Sequence, residues 1–291
     1  MDFWLSNWPF RPRGPVAEPV DATDLKSVVR KGVSVRVGPG PPENARPLNI
    51  PDFANLREQA ELVWLVARSP AVEIALFGNE EARTAYRAFT GRHKRLPLLP
   101  SKTFGAALLR IPASPEQLLA GTSSRNLRQR RKRAIDRGYR FTEIDGPAHT
   151  DRILAINRSA DRRQGRPLTD SYTDIARVRR YCSNRRPFFG IFDRNDVLRA
   201  YCHTPVLGDV FSFARILGEQ DRLRDGIMYL LVAEVIVTMR AQRELLGYPQ
   251  WAMYDMYIGG GRGLRIFKKE CGFRPYRVIW RWNEEQSYAV G

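Results

Sequence analysis

An α/β (α+β) fold is predicted: a mixed, mostly antiparallel central sheet flanked by helices, preceded by an incomplete N-terminal α/β half. Three observations carry this. From Tyr139 onward, apolar runs of strand length alternate with stretches of helical period. Three of those strands follow one another across short polar turns, Asp193–Asp196 and Gly208–Asp209, and so should pair antiparallel. The stretch Gly226–Leu246 is apolar nearly all round, as in a helix laid against a sheet with little exposure to solvent.

Composition bounds the function. The 291 residues are 43% hydrophobic, ample for a core. The net charge of +17, mostly from arginine, favours polyanionic partners such as nucleic acid, acidic membrane or a phosphate-bearing cofactor. Cys182, Cys202 and Cys271 are too few and too scattered for a disulfide framework, which fits a reducing cytoplasm. No Cys/His cluster has metal spacing, so no metal is expected. The longest apolar stretch, Ile227–Met239, is interrupted by Glu234 and is too short to span a bilayer, so no transmembrane segment is expected.

Residues 1–48 read as a non-native or disordered extension. The segment Gly14–Pro42 resembles a translated bacterial leucine tRNA gene: Val16-Ala-Glu-Pro fits the start of a D-arm, Asp24-Leu-Lys-Ser an anticodon loop, Val35-Arg-Val a T-loop and Pro41-Pro42 the terminal CCA. The competing reading is a genuine Val- and Pro-rich leader. Removing the segment changes the net charge by one unit, four basic residues against three acidic, so the basic character belongs to the rest of the chain.

Residues 49–138 read as a partial N-terminal α/β region ending in a basic helix. Asp52–Ala67 has helical spacing, Val72–Phe77 reads as a strand, Glu80–Phe89 as a helix and Lys102–Ile111 as a strand. Ser114–Gly138 is a helical pair or one long helix, opened by a Ser114 cap with Pro115 and Gln117 behind it. Its second half is crowded with cations, and Arg125, Arg128 and Lys132 share a face by their spacing. That face is either solvated or turned to phosphates. Cations so dense repel one another and favour an anionic partner, tRNA among the candidates.

Residues 139–291 carry the regular pattern: strand Tyr139–Ile144, helices Thr150–Arg163 and Asp170–Cys182, strands Pro187–Phe192, Val197–Leu207 and Val210–Leu217. A loop, Gly218–Asp225, leads to the long helix. Strand Trp251–Ile258, helix Gly263–Cys271 and strand Arg277–Trp282 close the chain.

That order, with the ending GLRIFKKECGFRPYRV, resembles the GNAT-fold N-acyltransferase superfamily. SSRNLRQRRKRAIDRGYRF and GIFDRNDVLRAY resemble its FemAB-like branch. The resemblance covers about Leu96–Asn283 and rests on element order and diffuse motifs. It implies transfer of an acyl or aminoacyl group from a phosphate-bearing donor, acyl-CoA or aminoacyl-tRNA, to an amine-bearing acceptor. The donor's phosphates would sit at a helix N-terminus, on Leu217, Gly218, Arg222, Arg224 and Gly226, although the second glycine of the family's loop is missing here. Asp255, in an apolar and aromatic strand, is the candidate base, its pKa raised by desolvation, or else an outward-facing Asp or a structural partner of a nearby Arg. Tyr201 and Tyr229 are candidates to protonate the leaving group, or core residues. Gly259-Gly260-Gly261 fits a substrate loop or a plain turn, and Cys271 a core thiol. The alternative function is a nucleic-acid-binding module on a degenerate, inactive scaffold.

Overall fold

The computed structural model describes residue 61 and residues 64–93, 96–122, 124–163, 166–183, 185, 187–257 and 261–284. The extension over residues 1–48 with its tRNA-gene likeness, most of the helix expected from Asp52, and Gly259-Gly260 lie outside the described residues.

The chain runs through β1 (Ala71–Leu76), α1 (Glu80–Thr90), β2 (Arg92–His93), β3 (Leu96–Pro100) and β4 (Phe104–Arg110). Next come α2 (Pro115–Leu119), α3 (Arg125–Asp136), β5 (Arg140–Ile144), α4 (Thr150–Arg158), β6 (Arg162–Arg163), β7 (Arg166–Pro167), α5 (Asp170–Thr173) and α6 (Ile175–Ser183). Strands β8 (Phe188–Phe192), β9 (Leu198–His203), β10 (Val210–Ser212) and β11 (Arg215–Gly218) follow. A 3-10 turn, Gln220–Asp225, then enters α7 (Ile227–Leu246), and β12 (Trp251–Met256), α8 (Arg262–Glu270) and β13 (Arg274–Trp282) complete the fold.

Local chemistry accounts for most boundaries. Ser114 Oγ accepts the Gln117 N–H at 3.3 Å while Gln117 Oε1 accepts the Ala113 N–H at 2.9 Å, a reciprocal cap that starts α2. Gly121, at φ +78°, separates α2 from α3, so the basic stretch is a helical pair. The helix expected over Asp170–Cys182 breaks at Asp174, whose backbone is extended and whose Oδ1 accepts the Arg177 N–H at 2.8 Å to start α6. The helix expected to reach Arg163 stops at Arg158, and Arg162–Pro167 forms a small hairpin instead.

The architecture is the mixed, mostly antiparallel sheet flanked by helices that the element order predicts, with one departure: it is divided in two. A five-stranded sheet has the order β1-β13-β4-β12-β10, and a four-stranded antiparallel sheet the order β11-β9-β8-β5. Strands β1 with β13 and β10 with β12 are parallel pairs. β4 lies between β12 and β13, so strands from residues 71–110 and from residues 210–282 share one sheet.

Helix α7 holds the two sheets together. Its Leu230, Leu231, Val235 and Ile236 are buried in one apolar cluster with Ala107, Phe211 and Ala252 of the larger sheet and Phe189, Ile191 and Ala200 of the smaller. Each such side chain contributes about 1.5–3 kcal/mol by leaving water. A second cluster fills the space between α1 and the larger sheet, and a third lies between α4, α6 and the smaller.

Candidate functional site

The single strand expected over Val210–Leu217 changes partner halfway along. Through Ser212 it pairs with β12, and the Phe213 N–H still donates to Met253 O at 2.9 Å. One residue later the Ala214 N–H donates to His203 O at 3.1 Å, and from Arg215 the strand pairs with β9. Beyond this switch β11 and β12 belong to different sheets, and the wedge between them points at the start of α7. The Glu219 N–H donates to Arg199 O at 2.8 Å in the β11–β9 register. Antiparallel alternation therefore turns the Leu217 N–H toward β9 and those of Ile216 and Gly218 toward the open edge. Amides on that edge can polarise a carbonyl.

Beside β12 and the start of α7, rings pack together in the core: Phe213 stacks on Tyr254 at 5.5 Å, Tyr254 meets Phe273 at 5.6 Å, and Phe267 meets Tyr229 edge-on at 4.8 Å. Tyr229 donates its hydroxyl to Glu270, whose other oxygen accepts Asn126 Nδ2 at 2.6 Å. This chain ties α7, α8 and α3 together. Burial and the Glu270 carboxylate push the Tyr229 hydroxyl pKa upward, so its proton stays on at neutral pH.

Asp255, the last residue but one of β12, sits at φ +49°, where the strand slips its register against β4 between Met253 and Met256. The left-handed backbone, rare outside glycine, sets its carboxylate on the Lys102 ammonium. Lys268, 2% exposed, reaches in from α8, donates to Met256 O at 2.8 Å and stands 4.9 Å over the Tyr254 ring. Burial pushes the Asp255 carboxyl up, but Lys102 and Lys268 outweigh it and leave it below the usual range. The expected elevation is thus overturned, because two ammonium groups flank one carboxylate. Neither lysine was singled out from sequence. Lys268 had a signal: it occupies a position of the stripe Leu264, Phe267, Lys268, Cys271, where a charge must bury.

Tyr201 stands apart. It is fully buried between the smaller sheet and α4, and its hydroxyl donates to Asn157 Oδ1 at 2.6 Å. Burial raises its pKa far out of working range.

The loop before α7 is built for packing. Gly226, at φ +91°, lies against α3: a Cβ there would come within 2.3 Å of the Arg130 carbonyl oxygen. A Cβ on Gly218 would meet Met228 Sδ at 2.6 Å. Asp225 accepts the Tyr139 hydroxyl at 2.7 Å and pairs with Arg137, while Arg224 is exposed. Arg222 pairs with Asp221 at 3.3 Å and lines a polar cavity with Arg137, Arg194, Arg199 and Asp193.

Of the basic helix, Arg128 donates to the carbonyls of Leu119 and Gly121 at the end of α2, and Lys132 pairs with Asp136 one turn on. Arg131 pairs with Glu234 of α7. Arg125, Arg130 and Arg133 stand exposed, with no carboxylate paired to them among the described residues. No group of three or more His, Cys, Asp or Glu among the described residues is placed to hold a metal ion, and no described helix is long and apolar enough to cross a membrane.

No family model and no curated protein matches the chain. Several solved structures are similar over part of it. A conserved protein of unknown function from Bacteroides thetaiotaomicron VPI-5482 is 14% identical, with a TM-score of 0.43 over 59% of this chain and 56% of that one. The structure of L-PGS from Bacillus licheniformis is 14% identical, with a TM-score of 0.41 over 60% of this chain and 58% of that one. FemX is 11% identical, with a TM-score of 0.43 over 59% of each. The alignments thus span less than two thirds of the length of these proteins.

Proposed function

We propose that the protein is an N-acyltransferase, moving an acyl or aminoacyl group from a phosphate-bearing donor, acyl-CoA or aminoacyl-tRNA, to an amine. The observation that supports this best is the partner switch at Phe213–Ala214, which leaves an open strand edge at a wedge between two sheets. The donor's carbonyl would lie along that edge, polarised by the Ile216 and Gly218 amides. The acceptor's nitrogen attacks the carbonyl carbon, the bond to the thioester sulfur or ester oxygen breaks, and the nitrogen's surplus proton leaves to water. Asp255, held ionised by its lysines, is too weak a base to take that proton at neutral pH. Its contribution is to hold Lys102, and with Lys268 the end of β12, in place. Tyr229, in the first turn of α7, holds a bound proton for the leaving group, provided Glu270 yields it.

A nucleic-acid-binding module without turnover is favoured by one observation: the α7 start is packed against the Arg130 carbonyl, where a donor's phosphates would otherwise meet its free amides. Thermal shift separates the two, with acetyl-CoA, a longer acyl-CoA and bulk aminoacyl-tRNA added singly. A rise with one donor and transfer to a free amine support the enzyme, since a ligand of the native state raises its melting temperature. Binding of uncharged RNA alone, with no turnover from any donor, would replace it with the module.

A further inference from the structure

The α3–β5 junction, the β8–β9 turn, the start of β9 and the 3-10 turn line a polar cavity of about 350 Å³ that is open to solvent and ample for a phosphoryl group. Four guanidinium groups line it, those of Arg137, Arg194, Arg199 and Arg222, with two carboxylates, Asp193 and Asp225. The fold itself occupies both acids. Asp193 accepts the Asn195 and Val197 N–H groups at 2.9 and 3.0 Å and Arg199 Nε at 2.7 Å. Asp225 accepts the Tyr139 hydroxyl and pairs with Arg137. Arg199 is further neutralised by Glu219 at 2.6 Å.

Two cations are not taken up by these acids. Arg194 lies across Gly138, where a Cβ would come within 2.3 Å of its Nε, and it donates to the Asp136 carbonyl at 3.2 Å, with no carboxylate paired to it among the described residues. Its guanidinium is therefore held in place without being neutralised. Arg222 Nε is buried without a hydrogen bond among the described residues; its guanidinium pairs at 3.3 Å with Asp221, an exposed, water-screened carboxylate outside the cavity lining. A guanidinium fork matches phosphate oxygens two at a time.

We infer that this cavity binds a phosphoryl group, clamped between Arg194 and Arg222. As a seat for the donor's phosphates it rests on the acyl-transfer reading and moves them from the occluded α7 start to the neighbouring cavity. The shared chemistry is a phosphoryl group, free-ended as in a nucleotide or internal as in a polynucleotide backbone.

The test is calorimetry on the full chain with inorganic pyrophosphate and, separately, a short single-stranded RNA lacking terminal phosphate. Each is titrated into wild type, Arg194→Gln, Arg222→Gln and the double variant. Glutamine keeps much of the stem and hydrogen-bonding capacity, and melting curves check folding. One-to-one pyrophosphate binding, weakened about tenfold by each substitution as a lost charge-assisted contact requires, supports a free-ended ligand. The same dependence for RNA alone supports a backbone phosphodiester. Binding of both ligands unchanged in the folded double variant, or of neither to wild type, overturns the site. Transfer assays run beside it keep the two readings apart. Phosphate binding without transfer leaves the site standing and removes the enzyme, whereas wild-type transfer rates and donor KM in the double variant do the reverse.

Discussion

At Asp255 the carboxylate pairs with the Lys102 ammonium and lies in the field of Lys268, and removing its charge would take from buried Lys102 its ion-pair partner among the described residues. Asp255→Asn should lower stability by about 3 kcal/mol, the lower end for breaking a buried pair, measured by urea denaturation at neutral pH. The pH dependence has a definite sign. The carboxyl's folded pKa is depressed, so its stabilisation is full above the unfolded value of roughly 4 and drains away as pH falls through the folded one. The Asn variant should therefore differ most from wild type near neutrality and converge with it in acid. A gap that widens in acid would contradict the pairing. Tyr201 and Tyr229 separate by the same logic. Tyr201→Phe leaves Asn157 Oδ1 without its donor and should cost about 1–3 kcal/mol while sparing single-turnover transfer. Tyr229→Phe should slow transfer, because its hydroxyl, in the first turn of α7, carries the proton for the leaving group. Equal loss of transfer in both variants would show a shared structural effect.

At the scale of elements, the α3–α7 crossing depends on Gly226. Gly226→Ala must hold a left-handed backbone and push against the Arg130 carbonyl, so at least about 2 kcal/mol of stability should go. Donor-free thermal melting reads this directly; an unchanged melting temperature would mean that α3 does not pack there. The same elements show what the sequence made legible. Helix α7 could be read because its pattern repeats over 20 residues. The division of the third strand was written more faintly. Phe211, Phe213 and Ile216 face α7, so the two-residue period loses a step between 213 and 216, where the strand changes sheets. The place of β4 between β12 and β13 has no local trace, since the partners lie more than 140 residues away and pairing is decided by the whole sheet. In the site, Asp255 stood out as a charge in an apolar strand, but Lys102, its partner from before β4, could not be found by spacing. The Arg137–Asp225–Tyr139 set is likewise assembled only by folding.

Over the whole molecule, the net charge of +17 sets how the protein meets a polyanion, and pairing decides which cations take part. Arg131, Arg137, Arg152 and Arg199 are tied to carboxylates of their own. Among the described arginines with no carboxylate paired to them are Arg125, Arg130 and Arg133 on α3, Arg194 in the cavity and the exposed Arg224 before α7. Each phosphate they engage releases counter-ions, so the affinity for aminoacyl-tRNA should fall with salt at a log–log slope of about −3.5 for five contacts on a single-stranded end, steeper where the RNA is duplex. Acyl-CoA, carrying far fewer phosphates, should show a much shallower slope. The Arg125→Ala, Arg130→Ala, Arg133→Ala triple variant should flatten the RNA slope by about 2 and leave acyl-CoA binding unchanged, because α3 presents those side chains to solvent and not to the wedge. Fluorescence anisotropy with labelled RNA over a salt series gives the slope. If the triple variant keeps the wild-type slope, the RNA lies elsewhere and the basic helix is a solvated face. If acyl-CoA binding falls with it, α3 reaches the donor itself and the two surfaces are one.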